Sequence, residues 1–255
     1  MLDMHSHILP NVDDGPKSIE ESIELIRQAV NEGITDIIAT PHAFSPQYDV
    51  PKADVLKQLA ILQKEVTKLE LPIQLYAGQE IRIQEYVSKK LKYEEVLTLA
   101  DSKYVLLELP SSNVPAYTVQ VIQEILSLKK IPIIAHPERN RGIADKPSRL
   151  TRLVQHGALA QVTAGSLSGH FGKGVQRLAL KLVEANLVHT YGSDVHNAKT
   201  RPFHFEKGLR FLEKRKLHDT VDILLENNAR IVSNEDFILL EPGNVEDRKW
   251  WQTYE

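Results

Sequence analysis

The sequence contains no cysteine among its 255 residues. Disulfide bonds, thiolate metal sites and cysteine nucleophiles are therefore excluded. Long apolar runs are also lacking, and none approaches the roughly 20 residues that a transmembrane helix needs. The first residues, MLDMHSHILP, have neither the basic nor the apolar stretch of a signal peptide. These absences predict a cytoplasmic protein that does not insert into a membrane.

A strong charge of either sign is lacking as well. The chain has 31 basic and 34 acidic residues, and its formal net charge is −3. This balance gives no electrostatic reason to expect nucleic acid as a partner. Hydrophobic residues at 42% and charged residues at 25% are typical of a globular protein, and no linker rich in Gly, Ser or Pro divides the chain. We therefore expect a single domain over residues 1–255, a length that suits one β/α barrel.

Short runs rich in Val, Ile, Leu and Tyr recur along the chain, as expected of buried parallel strands. The seven predicted strands cover residues 2–5, 36–40, 74–81, 104–109, 131–136, 160–163 and 188–192. Apolar residues at helical spacing predict helices over residues 18–32, 53–69, 117–129, 174–186, 206–214 and 219–228. The alternation of strands and helices predicts an α/β fold, and seven units favour a closed or nearly closed barrel.

The helix predicted over residues 18–32 has the clearest boundaries. Ser18 and Glu21 have the spacing of a capping box, and Gly33 ends the pattern. Its apolar stripe consists of Ile19, Ile23, Ile26 and Val30.

Two segments outside the predicted elements have unusual composition. Glycines over residues 165–174 predict a mobile loop after the sixth strand, which either covers the barrel mouth or is simply flexible. Because its centre is Leu167, the segment does not match the serine motif of a nucleophile elbow. Near the chain end, Trp250 and Trp251 are expected to pack back on the body, and docking of a partner is the alternative.

Potential metal ligands follow most of the predicted strands. The candidates are His5, His7, Asp14, His42, Glu80, Glu108, His136, Asp194 and His196. In β/α barrels the carboxyl ends of the strands meet at one mouth, where active sites lie, so these residues are expected to become neighbours. Residues two apart in an extended chain point to the same side, so His5 and His7 can bind one cation together. By contrast, we interpret His156, His170, His189, His204 and His218 as structural or surface histidines.

Charge indicates how many cations this cluster could hold. The four carboxylates are those of Asp14, Glu80, Glu108 and Asp194. Two divalent ions would neutralise them, and three would leave a charge of about +2 that suits a phosphate dianion. The ligands are nitrogen and oxygen atoms, which can bind Mn, Fe, Zn, Co or Mg, and the many carboxylates favour Mn. Arg139 and Arg201 lie close in sequence to the proposed ligands, and guanidinium groups bind phosphate oxygens through a planar fork.

Six ordered motifs extend over most of the chain: DMHSHILPNVDDGP, ATPH, GQE, LLELP, AHPERN and YGSDVH. Together they resemble the PHP (polymerase and histidinol phosphatase) superfamily, and within it the bacterial tyrosine-protein phosphatases of the CpsB/CapC/YwqE group. The resemblance implies a distorted seven-stranded (β/α)7 barrel with its active site at the carboxyl ends of the strands. It also implies three metal ions, usually manganese.

The resemblance further implies a role for each candidate residue. It assigns the first metal to His5, His7, Glu80 and Asp194. It assigns the second to Glu80, Glu108 and His136, and the third to Asp14, His42 and His196. Arg139 and Arg201 would contact phosphate, and Asp3 would support a ligand from behind.

The activity implied by the resemblance is that of a manganese-dependent protein-tyrosine phosphatase, in which a metal-bridged hydroxide attacks phosphorus. Its substrate would be a bacterial tyrosine kinase that controls capsule or exopolysaccharide synthesis, and a homo-oligomer is compatible with it. Three alternatives stay open: a small-molecule phosphatase acting on histidinol phosphate, a phosphodiesterase or nuclease, and a metal-binding regulatory module. The near-neutral charge and the lack of a basic aromatic stripe disfavour the nuclease. The complete set of ligand residues disfavours the regulatory module.

Overall fold

The computed structural model describes residues 1–245, so the prediction for Trp250 and Trp251 lies outside the described residues. The strands are Leu2–Ser6 (β1), Asp36–Ala39 (β2), His42–Ala43 (β3), Gln74–Ala77 (β4), Glu80–Arg82 (β5), Tyr104–Glu108 (β6), Ile131–Ala135 (β7), Leu159–Thr163 (β8) and Thr190–Gly192 (β9). The helices are Ile19–Asn31 (α1), Lys52–Lys68 (α2), Val87–Lys92 (α3), Thr118–Ser127 (α4), Arg141–Asp145 (α5), Ser148–Gln155 (α6), Ala164–Ser168 (α7), Lys173–Glu184 (α8), Phe205–Glu213 (α9) and His218–Ser233 (α10).

The strands are parallel and occupy seven positions around a barrel. Hydrogen bonds join them in the orders β1-β2-β4 and β3-β5-β6-β7-β8-β9. The predicted second strand is interrupted before Pro41, which has no N–H to donate, and continues as β3. The third is interrupted at Gly78, where a Cβ would lie 2.9 Å from the side chain of Ile38, and continues as β5. The predicted barrel of seven strand positions is therefore confirmed, with two positions broken into shorter strands.

Backbone hydrogen bonds also connect the first strand to the segment after the last one. The N–H of Asp194 donates to the carbonyl of His5 (2.8 Å), and the N–H of His7 donates to the carbonyl of Val195 (2.9 Å). A Cβ at Gly192 would lie 2.8 Å from the Cβ of His5, so this close approach requires glycine. This contact, the seam of the barrel, places the first strand beside the segment that follows the last strand.

The two-residue repeat of a strand decides which side chains enter the barrel. In β6, Tyr104 and Leu106 belong to the apolar cluster that also contains Met4 and Ile133. Glu108 lies on the same face one step further along, so it reaches the mouth above this apolar floor. Barrel residues facing the other way pack against the helices.

The first helix follows its prediction with small differences. Ser18 caps it by accepting the N–H of Glu21 (3.3 Å), whereas the Glu21 carboxylate accepts the N–H of Lys17 (2.7 Å). In a capping box the Glu21 carboxylate would accept the N–H of Ser18, so this second hydrogen bond is displaced by one residue. The buried face consists of Ser22, Leu25, Ile26 and Ala29. Of the predicted stripe, only Ile26 is fully buried; the other three members are half-buried. Gly33, with φ of +77°, ends the helix.

The other predicted helices are confirmed as α2, α4, α8 and α9 to within two residues at each end, and α10 continues five residues further than predicted. The prediction of a mobile loop over residues 165–174 is wrong for its first half. Thr163 caps α7 by accepting the N–H of Ser166 (3.3 Å), and Gly165 is buried against the ring of Phe171. Glycine reflects this close packing rather than a flexible segment. Among the described residues, no helix is both long and apolar enough to cross a membrane.

Candidate metal centre

The nine residues predicted as metal ligands lie together at the carboxyl ends of the strands. Glu80 is at the centre of this cluster, with only 1% of its surface exposed. Its Oε2 lies 3.5 Å from His5 Nε2, 3.3 Å from His7 Nε2 and 3.1 Å from His42 Nδ1. Its Oε1 lies 2.7 Å from His136 Nε2. One buried carboxylate therefore faces four imidazole rings that come from three other strand positions.

The potential ligand atoms form three groups, and within each group the atoms lie within 4.8 Å of one another. They are His5 with His7 and Glu80; His42 with Glu80 and Glu108; and His7 with Asp14, His42 and His196. Asp194 adjoins the first group, with its Oδ1 3.4 Å from His5 Nε2 and 3.5 Å from His7 Nε2.

These groups resemble the three ligand sets expected from the sequence, with four differences. Asp194 and His136 fall outside the three groups, and His7 and His42 each belong to two of them. His42 lies between two groups, because its Nδ1 faces Glu80 and its Nε2 lies 3.5 Å from Asp14 Oδ1. His136 falls outside the three groups and instead contacts Glu80 directly.

The site has many buried polar atoms without a hydrogen-bond partner. Seven of the nine proposed ligands have such an atom: His5 Nε2, His7 Nε2, Asp14 Oδ1, His42 Nδ1, Glu108 Oε2, Asp194 Oδ1 and His196 Nε2. A buried polar group without a partner costs about 1–3 kcal/mol, so a fold rarely leaves several in one place. The unpaired atoms are nitrogen and oxygen donors that face one another, an arrangement that fits divalent cations.

Burial and neighbouring charges act together on these residues, and three of them have raised pKa values. Burial alone would lower the pKa of His7, but the Asp13 carboxylate raises it to about 9. Against the same effect of burial, Glu80 raises the pKa of His42 to about 11. Burial and the neighbouring Glu80 raise the pKa of Glu108 to about 7. In the protein without cations, protons on these groups therefore offset the negative charge of the cluster.

Asp13 supports the cluster and was missed by the sequence prediction. Its Oδ2 lies 2.7 Å from His7 Nδ1 and accepts the N–H of His42 (3.2 Å), and its Oδ1 accepts the N–H of Gly15 (3.0 Å). This contact leaves His7 Nε2 facing the site. A carboxylate that holds the second nitrogen of a metal-binding imidazole is the usual partner behind such ligands. Its signal in the sequence was the second acidic residue beside Asp14.

Gln161 in β8 supports two further histidines and was also missed. Its Oε1 lies 3.2 Å from His5 Nδ1 and accepts the backbone N–H of His136 (3.3 Å). The side chain is fully buried in an otherwise apolar strand, and this was the signal for a polar role.

Asp3, expected to support a ligand, accepts the backbone N–H of the proposed ligand His5 (3.4 Å). It accepts the backbone N–H of Ser193 (2.9 Å) and the Ser193 hydroxyl (2.5 Å). Burial raises the pKa of Asp3 to about 6, although these hydrogen bonds oppose the rise. Asp3 thus holds the segment that leads to Asp194.

The two predicted arginines lie at the edge of the cluster. Arg139 Nη2 is 2.5 Å from Asp194 Oδ2, and Arg201 Nη2 is 2.7 Å from the same oxygen. Both line a cavity of about 390 Å³ above the proposed ligands. A third arginine, Arg82, was not predicted; it lines the cavity and its Nε lies 3.2 Å from Glu108 Oε2.

The turn that carries Arg139 is anchored by a buried carboxylate. Glu138 Oε1 accepts the N–H (3.1 Å) and hydroxyl (3.0 Å) of Thr163 and the hydroxyl of Ser166 (2.6 Å). His136, which precedes the turn Pro137–Arg139, has φ of 34°, a conformation that residues other than glycine rarely adopt. The bonds of Glu138 connect this strained turn to α7.

The five histidines set aside in the sequence have other surroundings. His189, for example, is buried and its Nδ1 accepts the N–H of Ala160 (3.1 Å). Among the described residues, His156, His170, His189, His204 and His218 are absent from the three ligand groups.

Comparison with known proteins agrees with this geometry. The family model described as "Capsular polysaccharide synthesis, CpsB/CapC" matches residues 1–233. Tyrosine-protein phosphatase YwqE from Bacillus subtilis is 43% identical over 249 residues, 98% of each chain. Tyrosine-protein phosphatase CpsB from Streptococcus agalactiae is 27% identical over 93% of this chain and 100% of that protein.

Solved structures extend the comparison. A structure from work on YwqE of Bacillus subtilis and CpsB of Streptococcus pneumoniae, described as metal-dependent tyrosine phosphatases, is similar with a TM-score of 0.94 and 43% identity. It covers 96% of this chain and 100% of that one. An organophosphorus hydrolase from Deinococcus radiodurans, 12% identical over 91% of each chain with a TM-score of 0.57, shares the fold alone. With a family model that covers most of its length, this chain belongs to the CpsB/CapC family of capsular polysaccharide synthesis.

Proposed function

We propose that this protein is a metal-dependent phosphatase that hydrolyses phosphotyrosine in proteins. The observation that carries the proposal is the set of seven unpaired, buried ligand atoms that face one another beneath Arg139 and Arg201. The relatives named tyrosine-protein phosphatases support the choice of substrate.

The proposed cofactors are three divalent cations, most simply manganese, held by the nine residues of the cluster. The three groups of ligand atoms within 4.8 Å support this number. The nitrogen and carboxylate donors suit Mn as well as Fe, Zn, Co and Mg. When bound, such cations would lower the pKa of water and neutralise charge on the phosphoryl group.

The arginines bind the phosphoryl oxygens in this proposal. Both now contact one Asp194 oxygen, and a cation beside Asp194 would compete for that carboxylate and free their donors for substrate. The position of Arg139 is held by Glu138 through its three hydrogen bonds. Because the pKa of a tyrosine hydroxyl is only about 10, the phenolate leaves without a strong general acid, and we assign none.

The proposed substrate protein is a tyrosine kinase that controls capsule or exopolysaccharide synthesis in the cytoplasm. The description of the family as one of capsular polysaccharide synthesis supports this assignment.

The decisive experiment removes and restores the metal. We expect chelation to abolish hydrolysis of a phosphotyrosyl peptide and Mn²⁺, added alone, to restore it, with three ions per chain by elemental analysis. Histidinol phosphate serves as the second substrate and should be hydrolysed much more slowly. Activity that survives complete removal of metal would refute the proposal, and faster hydrolysis of histidinol phosphate would assign the site to a small-molecule phosphatase.

A further inference from the structure

Two aromatic side chains line the cavity above the proposed metal site without a part in the proposed hydrolysis. They are Tyr48, which follows β3, and Phe171, which follows α7. Both are half-buried. The Tyr48 ring stacks on the ring of His42, with 6.2 Å between the centroids and 13° between the planes. The Phe171 ring lies 5.0 Å from the guanidinium carbon of Arg139. Each aromatic ring is thus next to a residue of the polar cluster.

The topology of the barrel puts these rings on different sides of the opening. Tyr48 follows the second of the seven strand positions, and Phe171 follows the sixth. Around a ring of seven, these positions are separated by three steps in one direction and four in the other. Both side chains line the same cavity, so a group bound there can contact either ring.

The proposed metal ligands lie deeper in the cavity than the arginines at its edge. His5 and Glu80 have 0% and 1% of their surface exposed, whereas the side chains of Arg139 and Arg201 are 20% and 30% exposed. A phosphoryl group that reaches the arginines therefore leaves the organic part of its ester at the level of the cavity wall. That wall is aromatic at Tyr48 and Phe171 and aliphatic at Leu109.

We propose that Tyr48 and Phe171 form the subsite for the phenyl ring of the substrate, and so select aryl over alkyl phosphates. The assignment rests on the proposed function and deepens it. Aromatic rings bind one another through stacked or edge contacts, so each wall gains an interaction with phenyl that an alkyl group does not offer. A phosphoserine would instead bring its backbone to the same level and offer no ring to either aromatic side chain.

The contact of Phe171 with Arg139 adds a second effect. A guanidinium over an aromatic face is held by cation–π attraction, which fixes its plane relative to the ring. The side chain that holds the phosphoryl group and the side chain that holds the phenyl ring are therefore positioned relative to each other.

Binding of phosphonates tests the subsite without turnover. Phenylphosphonate and methylphosphonate have the same anionic group and differ only in the organic part. We expect the Mn-loaded protein to bind phenylphosphonate about tenfold more tightly by calorimetry. In Tyr48→Leu and Phe171→Leu this preference should fall, and in the double variant it should nearly vanish, while the affinity for methylphosphonate falls far less than the affinity for phenylphosphonate.

Two controls make the result specific. Tyr48→Phe keeps the ring and should keep the preference. Tyr93→Leu removes an exposed ring that does not line the cavity and should behave like the unmodified protein. An unchanged preference in the double variant would overturn the inference, and so would an equal loss of affinity for both phosphonates, which would mean that the rings act through Arg139 or His42. If the phenyl preference depends on both rings but phosphotyrosine is not hydrolysed, the proposed function fails and the subsite stands.

Discussion

The two ends of the barrel both contain buried polar side chains, but these side chains differ in whether their polar atoms have hydrogen-bond partners. Near the amino end of β1, the Asn228 amide group donates to the carbonyls of Leu2 (2.9 Å) and Tyr191 (2.6 Å), and its oxygen accepts the N–H of Tyr191 (3.1 Å). At the mouth, seven of the proposed metal ligands each have a buried atom without a hydrogen-bond partner. The Asn228 amide group is thus saturated by the backbone, whereas these proposed ligands at the mouth have atoms without a hydrogen-bond partner.

Two buried histidines show the same difference. His189 faces backbone groups, accepting one N–H, and burial lowers its pKa to about 4. His7 is equally inaccessible, but the carboxylate of Asp13 outweighs burial and raises its pKa to about 9. Burial by itself therefore does not identify a functional histidine; the partners of its two nitrogens do.

The strongest test of the comparison is at Glu80. Glu80→Gln keeps the shape of the side chain but removes the charge that faces four imidazoles. We expect metal content to fall and kcat/KM for phosphotyrosyl peptide to drop at least on the order of a thousandfold, more than the 10- to 100-fold typical of residues behind a ligand. Metal analysis and initial rates give both quantities. Glu20→Gln on the exposed side of α1 is the matched control. Full activity in Glu80→Gln would mean that Glu80 is not a metal ligand.

The opposite end should respond in stability instead. Asn228→Ala leaves three backbone groups of β1 and β9 unpaired, and we expect the free energy of unfolding to fall by about 2–4 kcal/mol. The same variant, loaded with metal, should keep its kcat. Urea unfolding measures the first effect, and Asn31→Ala at the exposed end of α1 is the neutral control. A large loss of kcat with unchanged stability would contradict the division between the two ends.

A smaller effect is expected at Asp13, which lies behind a proposed ligand. Asp13→Asn keeps the shape but removes the charge beside His7 Nδ1, so metal affinity or activity should fall about 10- to 100-fold. Competition with a chelator of known affinity measures the change. Asp145→Asn, at an exposed position, should have no effect. Unchanged affinity in Asp13→Asn would mean that His7 does not bind metal through Nε2.

The smallest effect is a release of protons. Without metal, His7 and His42 are protonated at pH 7 because their pKa values are raised to about 9 and about 11. Metal ligands are neutral imidazoles, so loading at pH 7 should release about two protons from this pair. The release should fade as the pH rises through about 9 and then about 11, and apparent metal affinity should rise with it. Calorimetry in buffers of different ionisation enthalpy measures the proton count, and a heat that does not depend on the buffer would contradict it.

Much of the fold could be predicted because its signals are local. The continuous apolar run in β6 and the cap at Ser18 depend on neighbouring residues, and both are found at their predicted places. The short helix α7 was not predicted, because a glycine such as Gly165 usually disfavours a helix. It forms through distant contacts, with Glu138 at its first turn and Phe171 against Gly165.

The site was predictable for residues at strand ends, since the barrel brings those ends together whatever the loops do. The supporting residues were not. Asp13 and Asp14 are adjacent in sequence, and only the turn after His7 decides which carboxylate faces its Nδ1. That turn depends on Gly15, where a Cβ would lie 2.5 Å from the carbonyl oxygen of His7.

The seam between the first strand and the segment after the last has a consequence for synthesis. His5 and His7 leave the ribosome before Asp194 and His196, which follow them by about three-quarters of the length of this sequence. The carbonyl of His5 accepts the N–H of Asp194 and the hydroxyl of Ser193. A nascent chain therefore exposes its first histidines long before the last carboxylate can meet them, and the site can assemble only after the last strand emerges. Loading with metal should accordingly be a late event in the life of each molecule, after translation of the barrel is complete.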